Sequence, residues 1–298
     1  MDHAIISGST GLIGSALVKF LISKKIKVLC LGRNNLSSSD VIKKFGKKVD
    51  YLSIDMKYIK TLPEKIKKIN FNSQKKCVFF SIAWAGDTSL TDGNLQKQFM
   101  NSIYTSEALK VAKYIGCEKF INCGSIQETL AEFALKDDLY FDNSQIDYTI
   151  SKIASRDMCL MLAYLEKIDY IHTRLSVPIN PKSNKAGYVF KVLSSIKNNI
   201  SYSNPKNSQQ FDLTHIDDIC EAYYLIALNG KNKSDYYIGT SNSLTLQEYF
   251  DFAKDFYGGK LDINKINFNS DKIFNTDKLV KDTGFILKNQ YLDILKSL

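Results

Sequence analysis

Ala4-Ile5-Ile6-Ser7-Gly8-Ser9-Thr10-Gly11-Leu12-Ile13-Gly14 is the stretch on which the reading of this chain turns. A short apolar run stops at three glycines spaced G-x-x-G-x-x-G, and Leu12, Ile13, Leu17, Phe20 and Leu21 then recur at helical spacing. A strand that ends in a glycine turn and opens a helix leaves N–H groups free at the helix start, where the dipole also favours an anion. Gly8 permits the turn, Gly11 lets backbone approach a phosphate, and Gly14 lets the helix pack closely on the strand. The loop, with Thr10, Leu12 and Ile13 between its glycines, is therefore read as the pyrophosphate cradle of a dinucleotide. A glycine turn in an unrelated α/β fold is the alternative that this motif alone leaves open.

The next apolar run, Lys27-Val28-Leu29-Cys30-Leu31, ends in Gly32-Arg33-Asn34-Asn35. An acidic residue there would bind the ribose 2′-hydroxyl of NAD, but none is present. Arg33 instead suits a 2′-phosphate through charge-assisted hydrogen bonds, so NADP(H) is expected in preference to NAD(H). Tyr148 and Lys152 stand four residues apart in an amphipathic stretch and so share a helix face. A phenol is a poor acid–base group at neutral pH, and a nearby ammonium lowers its pKa towards the working range. Lys119-Phe120-Ile121-Asn122-Cys123 reads as a strand ending in Gly124-Ser125. Ligands of parallel sheets bind at the carboxyl ends of strands, which places Ser125 to hydrogen-bond a reacting oxygen.

Taken together, Gly8/Gly11/Gly14, Ser125 and Tyr148/Lys152 resemble the extended short-chain dehydrogenase/reductase family, which acts mostly on nucleotide-linked sugars. The resemblance runs over nearly the whole chain. It implies an adenine-side acid at Asp55, followed by Met56, small cofactor-side residues at Ala83 and Ala85, and a structural asparagine at Asn101. It implies that Arg174 to Pro181 ends the sixth strand and opens the substrate lobe, with Pro178 near the cofactor. Asp212-Leu213-Thr214-His215-Ile216-Asp217-Asp218-Ile219 resembles the motif that returns the chain to the nucleotide domain. Trp84, Gln127, Glu128, Asn180, Phe211 and His215 are the candidate substrate contacts.

There are departures. Phe211 stands where the family often has a basic residue for the substrate diphosphate, Val177-Pro178-Ile179-Asn180 replaces the usual Asn-Val-Tyr-Gly, and Asp147 precedes the tyrosine. No cysteine and histidine pair of the double-epimerising type is matched. Gln127-Glu128 supplies one acid where the dehydratases of the family place two. Glu128 is read as a substrate hydrogen bond or a solvated turn, with an acid–base role open.

Strand and helix signals alternate to about residue 175, which argues for a Rossmann-type doubly wound parallel sheet. Residues 1–175 are expected to form the nucleotide domain, with 212–230 returning to it and 176–298 forming mainly a smaller substrate lobe. Sugar specificity is expected in that lobe and in 84–95, and 199–212 to close over the substrate. The chain of 298 residues carries a net charge of +9, yet its lysines between residues 43 and 76 alternate with apolar residues, as solvated helix faces do. No RNA-binding or helix-turn-helix signature is found, so nucleic acid is not expected as a partner. Cys30, Cys77, Cys117, Cys123, Cys159 and Cys220 form no C-x-x-C, and buried thiols in a reducing compartment are expected. The three histidines show no metal spacing. No membrane span or signal peptide is read, so a cytoplasmic location is expected.

The resemblance implies an NADPH-dependent reductase of a nucleotide-linked 4-keto sugar, serving surface polysaccharide synthesis, and a homodimer. The alternatives are a 4-epimerase with tightly bound NAD, a 4,6-dehydratase, and a non-catalytic nucleotide-sensing relative.

Overall fold

The computed structural model describes residues 1–46, 49–69, 71–73, 76–86, 94–136, 146–183, 187–205, 209–260 and 272–298. Parts of 84–95 and 199–212, the proposed specificity and closing segments, lie outside these residues.

Near-continuous apolar runs are what a parallel strand buried on both faces needs. Such runs form β1 (His3–Ser7), β2 (Lys27–Gly32), β4 (Cys77–Ser81) and β5 (Lys119–Cys123), while β3 (Val49–Ser53) is a half-buried edge strand and β6 (Asp169–Leu175) mixes apolar with polar residues. With β10 (Ser234–Ile238) they make a seven-stranded sheet in the order β10-β6-β5-β4-β1-β2-β3, every pair parallel. Strand order reverses on either side of β1, so a crevice opens at the carboxyl ends of β1 and β4.

The period of two along each strand divides the core. Ala4, Ile6, Val28, Cys30, Val78, Phe80 and Ile121 face helices α1 (Leu12–Ser23) and α8 (Ile216–Asn229). Ile5, Leu29, Phe79, Phe120 and Tyr170 face α4 (Leu95–Tyr114) and α6 (Ile146–Glu166). Helices α4 and α6 pack together, and the Ser102 hydroxyl donates to the Ser151 carbonyl at 2.6 Å between them. Short helices α2 (Ser38–Phe45) and α3 (Leu62–Ile66) flank β3, and α5 (Ile126–Lys136) follows β5.

A separate apolar core lies beyond β6. It joins α7 (Tyr188–Lys197), α9 (Leu246–Tyr257) and α11 (Tyr291–Ser297) through Val192, Leu193, Phe250, Ala253 and Ile294. Its strands are short: β7 (Val177–Ile179) pairs with β9 (Leu213–His215), and β8 (Gln210–Phe211) with β11 (Leu244–Thr245). Asp212 sits between β8 and β9 and is fully buried. It accepts from the Thr240 N–H and hydroxyl at 2.8 and 2.6 Å and from the Tyr237 phenol at 3.1 Å. Burial pushes its carboxyl up to about 6 against those hydrogen bonds.

Two boundaries differ from the sequence expectation. The returning segment does not stop at residue 230, because β10 adds to the main sheet beside β6. Helix α10 (Asp277–Thr283), expected in the substrate lobe, packs on α8, and Leu279 and Phe285 join the core of the nucleotide sheet. All six cysteines are free and buried. Among the described residues no helix is long and apolar enough to cross a membrane, and no cluster of metal-ligating side chains is found.

Candidate active site

Gly8 follows β1 at φ +68°, in the left-handed region that favours glycine, and a Cβ there would meet the Ala83 backbone at 2.9 Å. A Cβ on Gly14 would stand 2.3 Å from the Gly8 carbonyl oxygen, so α1 can approach the turn only without a side chain at that position. Polar side chains tie the strand ends together. The Ser7 hydroxyl accepts from the N–H groups of Ile82 and Ala83 at 3.1 and 3.2 Å, and the Ser9 hydroxyl donates to the Leu31 carbonyl at 2.9 Å. Gly11 is the N-cap of α1 and offers no side chain to its first turn, so the N–H groups of that turn stay available to an anion.

The result is a cavity of about 340 Å³ over the carboxyl ends of β1, β2 and β4. Gly8, Thr10, Gly11, Leu12, Ile13, Gly14, Arg33, Asp55, Met56, Ala83, Ala85 and Asn101, all expected from sequence, line it, and so does Trp84. Leu31, Ile54 and Ile82 were missed, although Leu31 and Ile54 are the last apolar residues of their runs and so the natural floor of a site at strand ends. Arg33 is exposed and is the one cationic lining residue among those described; Asp55 is the one carboxylate. Asn101 holds the loop after β4 in two directions. Its Oδ1 accepts from the Ala85 N–H and its amide donates to the Ala85 carbonyl, both at 2.8 Å. These features fit a dinucleotide: uncapped amides for the pyrophosphate, a glycine cradle that any Cβ would fill, and a cation beside β2.

Beyond Trp84 the character of the site changes. Tyr148 and Lys152 on α6 and Ser125 after β5 are all buried. The Ser125 side chain interacts with the Tyr148 phenol, and its hydroxyl accepts from the Gln127 N–H at 3.2 Å. Burial raises the Tyr148 phenol above its ordinary pKa, with the Ser125 side chain acting the other way. The sequence reading had Lys152 lower that phenol; in the structure burial is the larger influence. Burial also lowers the Lys152 ammonium, whose Nζ donates to the Cys123 carbonyl at 2.6 Å.

Glu128, read as a substrate contact or a solvated turn, is fully buried and so is not a solvated turn. Its Oε1 accepts from the Ser125 N–H at 2.8 Å, and its Oε2 lies 2.8 Å from His172 Nε2. The other ring nitrogen of His172 is 3.3 Å from the Tyr170 phenol and 3.4 Å from the Asn122 amide. His172 was missed. A histidine inside the apolar strand Tyr170-Ile171-His172-Thr173 was the available signal, because a buried ring demands partners.

Gln127, buried at the start of α5, and Glu128 do not line the cavity, and neither do four further expected contacts. Pro178 pairs with Thr214 in β7, and Phe211 belongs to the core beyond β6. His215 caps α8, its Nδ1 accepting from the Asp217 N–H at 3.2 Å, and Asn180 Oδ1 accepts from the Lys182 N–H at 3.1 Å.

The chain is 24% identical over 280 residues to CDP-abequose synthase of Yersinia pseudotuberculosis, covering 92% of this chain and 91% of that protein. UDP-glucose 4-epimerase of Thermotoga maritima, solved with UDP-glucose, superposes with a TM-score of 0.73 at 15% identity, over 99% of this chain and 96% of its own. A dTDP-glucose 4,6-dehydratase double mutant of Streptomyces venezuelae, solved with NAD, gives a TM-score of 0.75 at 13% identity, over 99% and 96% of the two chains. These similarities carry the fold. The profile of the NAD dependent epimerase/dehydratase family matches residues 4–239, from the first residues of β1 to the end of β10. The chain therefore belongs to that family and is an NAD(P)-dependent enzyme of the extended short-chain dehydrogenase/reductase type.

Proposed function

We propose that the protein uses NADPH to reduce the keto group of a nucleotide-linked 4-keto sugar. The observation that carries the reading is the buried, interacting Ser125–Tyr148 pair, with Lys152 on the same helix, next to a cavity whose β2 edge offers Arg33 and no carboxylate. The similarity to a CDP-abequose synthase supports a nucleotide-linked sugar as substrate.

The first turn of α1 would hold the pyrophosphate, and Arg33 the 2′-phosphate. Bound there, the nicotinamide supplies a hydride for the carbonyl carbon. The Ser125 hydroxyl orients the carbonyl oxygen, and the Tyr148 phenol gives it a proton as the C–O bond becomes single. The products are the alcohol and NADP⁺. Lys152, one helical turn from Tyr148, stabilises the phenolate left behind, which water then reprotonates. Displacement of water by the bound substrate strengthens that ammonium–phenolate attraction.

Cofactor titration of the purified protein tests this reading. Exchangeable NADPH binding, weak NADH binding and NADPH oxidation with a CDP-, UDP- or dTDP-linked 4-keto sugar are expected. Co-purified NAD that does not exchange would overturn it in favour of an epimerase or dehydratase.

A further inference from the structure

Trp84 lies in the loop after β4, on the wall between the dinucleotide cavity and the buried pair. The Lys152 Nζ stands over its ring, 3.9 Å from the centre. The Tyr148 ring meets it edge-on, with centres 5.9 Å apart and planes at 82°. Its indole N–H donates to Gln98 Oε1 at 2.8 Å, and Gln98 is fully buried on α4. One ring therefore touches both members of the pair while its own orientation is fixed from the opposite helix.

The surroundings of Lys152 explain what that contact can do. The side chain is buried, and among the described residues the Cys123 carbonyl is its one hydrogen-bond acceptor. An ammonium has three donors, and a buried charge with one acceptor needs a further source of stabilisation. The negative face of an indole provides it, and does so best where water is excluded.

We propose that Trp84 is a positioning residue for the reacting pair: its face holds the Lys152 ammonium and its ring sets the tilt of the Tyr148 phenol. This deepens the reductase reading, since it rests on Tyr148 and Lys152 being the reacting groups. Trp84 touches no reacting atom and acts through its two neighbours. The phenol then keeps its line to Ser125, and the charge that stabilises the phenolate stays beside it.

Trp84 is the single tryptophan of the chain, so its emission reports on this ring alone. In ligand-free protein at neutral pH, Lys152→Met is expected to shift the emission maximum and intensity, whereas Lys110→Met on an exposed helix face is not. An emission spectrum unchanged by Lys152→Met would overturn the contact, and this holds whatever the substrate proves to be. In turnover, Trp84→Leu is expected to lower kcat at saturating NADPH by about 10- to 30-fold and to displace the kcat–pH profile. Trp84→Phe, which keeps an aromatic face, is expected to restore most of the rate and the profile. A Trp84→Leu enzyme with wild-type kcat and profile, or a Trp84→Phe enzyme as slow as Trp84→Leu, would overturn the proposal. Absence of turnover by wild type on every ketosugar offered would instead sink the reductase reading, leaving the emission result to judge the contact.

Discussion

The glycine-loop wall of the site presents backbone, and the wall made by α5 and α6 presents side chains locked to one another. On the first wall, contact is set by amides and by the missing Cβ atoms of Gly8 and Gly14, and Arg33 stands exposed at its edge. On the second, Ser125, Tyr148, Lys152, Glu128 and His172 are all buried and linked through short contacts. The difference predicts how each wall fails. Changes at the rim of the backbone wall should act on affinity with little effect on stability. Changes on the side-chain wall should act on rate and stability, because removing one member leaves another buried and unpaired.

The strongest test of that contrast is Tyr148→Phe. It is expected to lower kcat by about 10³-fold while leaving NADPH affinity within about threefold. Parallel losses in rate and affinity, measured by steady-state kinetics and titration, would erase the distinction between the walls. Next comes Glu128→Ala, which strips the Ser125 N–H and His172 of their buried partner. A loss of about 3 kcal/mol in denaturant unfolding is expected. An unchanged midpoint would mean that the second wall is less tightly coupled than its contacts imply.

A control outside both walls is Asp212. Its folded carboxyl is raised to about 6, above its unfolded value, so the native state holds the extra proton between about 4 and 6. Stability from this group is full below that window and is lost as pH rises through it, by up to about 3 kcal/mol. Asp212→Asn should flatten that part of the stability–pH curve. A curve that overlays wild type would show that the carboxylate is better solvated than its burial suggests. The smallest effect belongs to the first wall: Arg33→Ala is expected to raise the NADPH Kd about tenfold, leaving NADH binding and the unfolding midpoint unchanged. An equal loss for both nucleotides would mean that Arg33 does not read the 2′-phosphate.

The first wall was largely legible in the sequence because its signals are local. Ile5 and Ile6, the three glycines and the apolar period of α1 lie within a few turns of each other, and the loop residues they indicated line the cavity. The second wall was legible only in its chemistry-bearing names, Ser125, Tyr148 and Lys152. Glu128 reaches His172 across a sequence separation of 44 residues, and no local pattern announces that pairing. Phe211 and His215 show what a motif position leaves out. Their motif position suggested substrate, whereas burial in the outlying core and a helix cap occupy them. Strand β10 was recognisable from Tyr236-Tyr237-Ile238, but its neighbour β6 lies about 60 residues earlier, so its sheet could be known only from the fold.

The placement of α8 and β10 also bears on how the protein is made. During synthesis the first six strands of the main sheet emerge before α8, yet α8 is what covers the Ile6, Val78 and Ile121 face together with α1. Until ribosomes have added the intervening residues of the outlying core, that apolar face has only α1 as cover, and the sheet ends in an unpaired β6 edge. A nascent chain paused near residue 200 should therefore be a chaperone client, and one released there should aggregate. The nucleotide-binding half of this enzyme completes itself only after most of its neighbour has been translated.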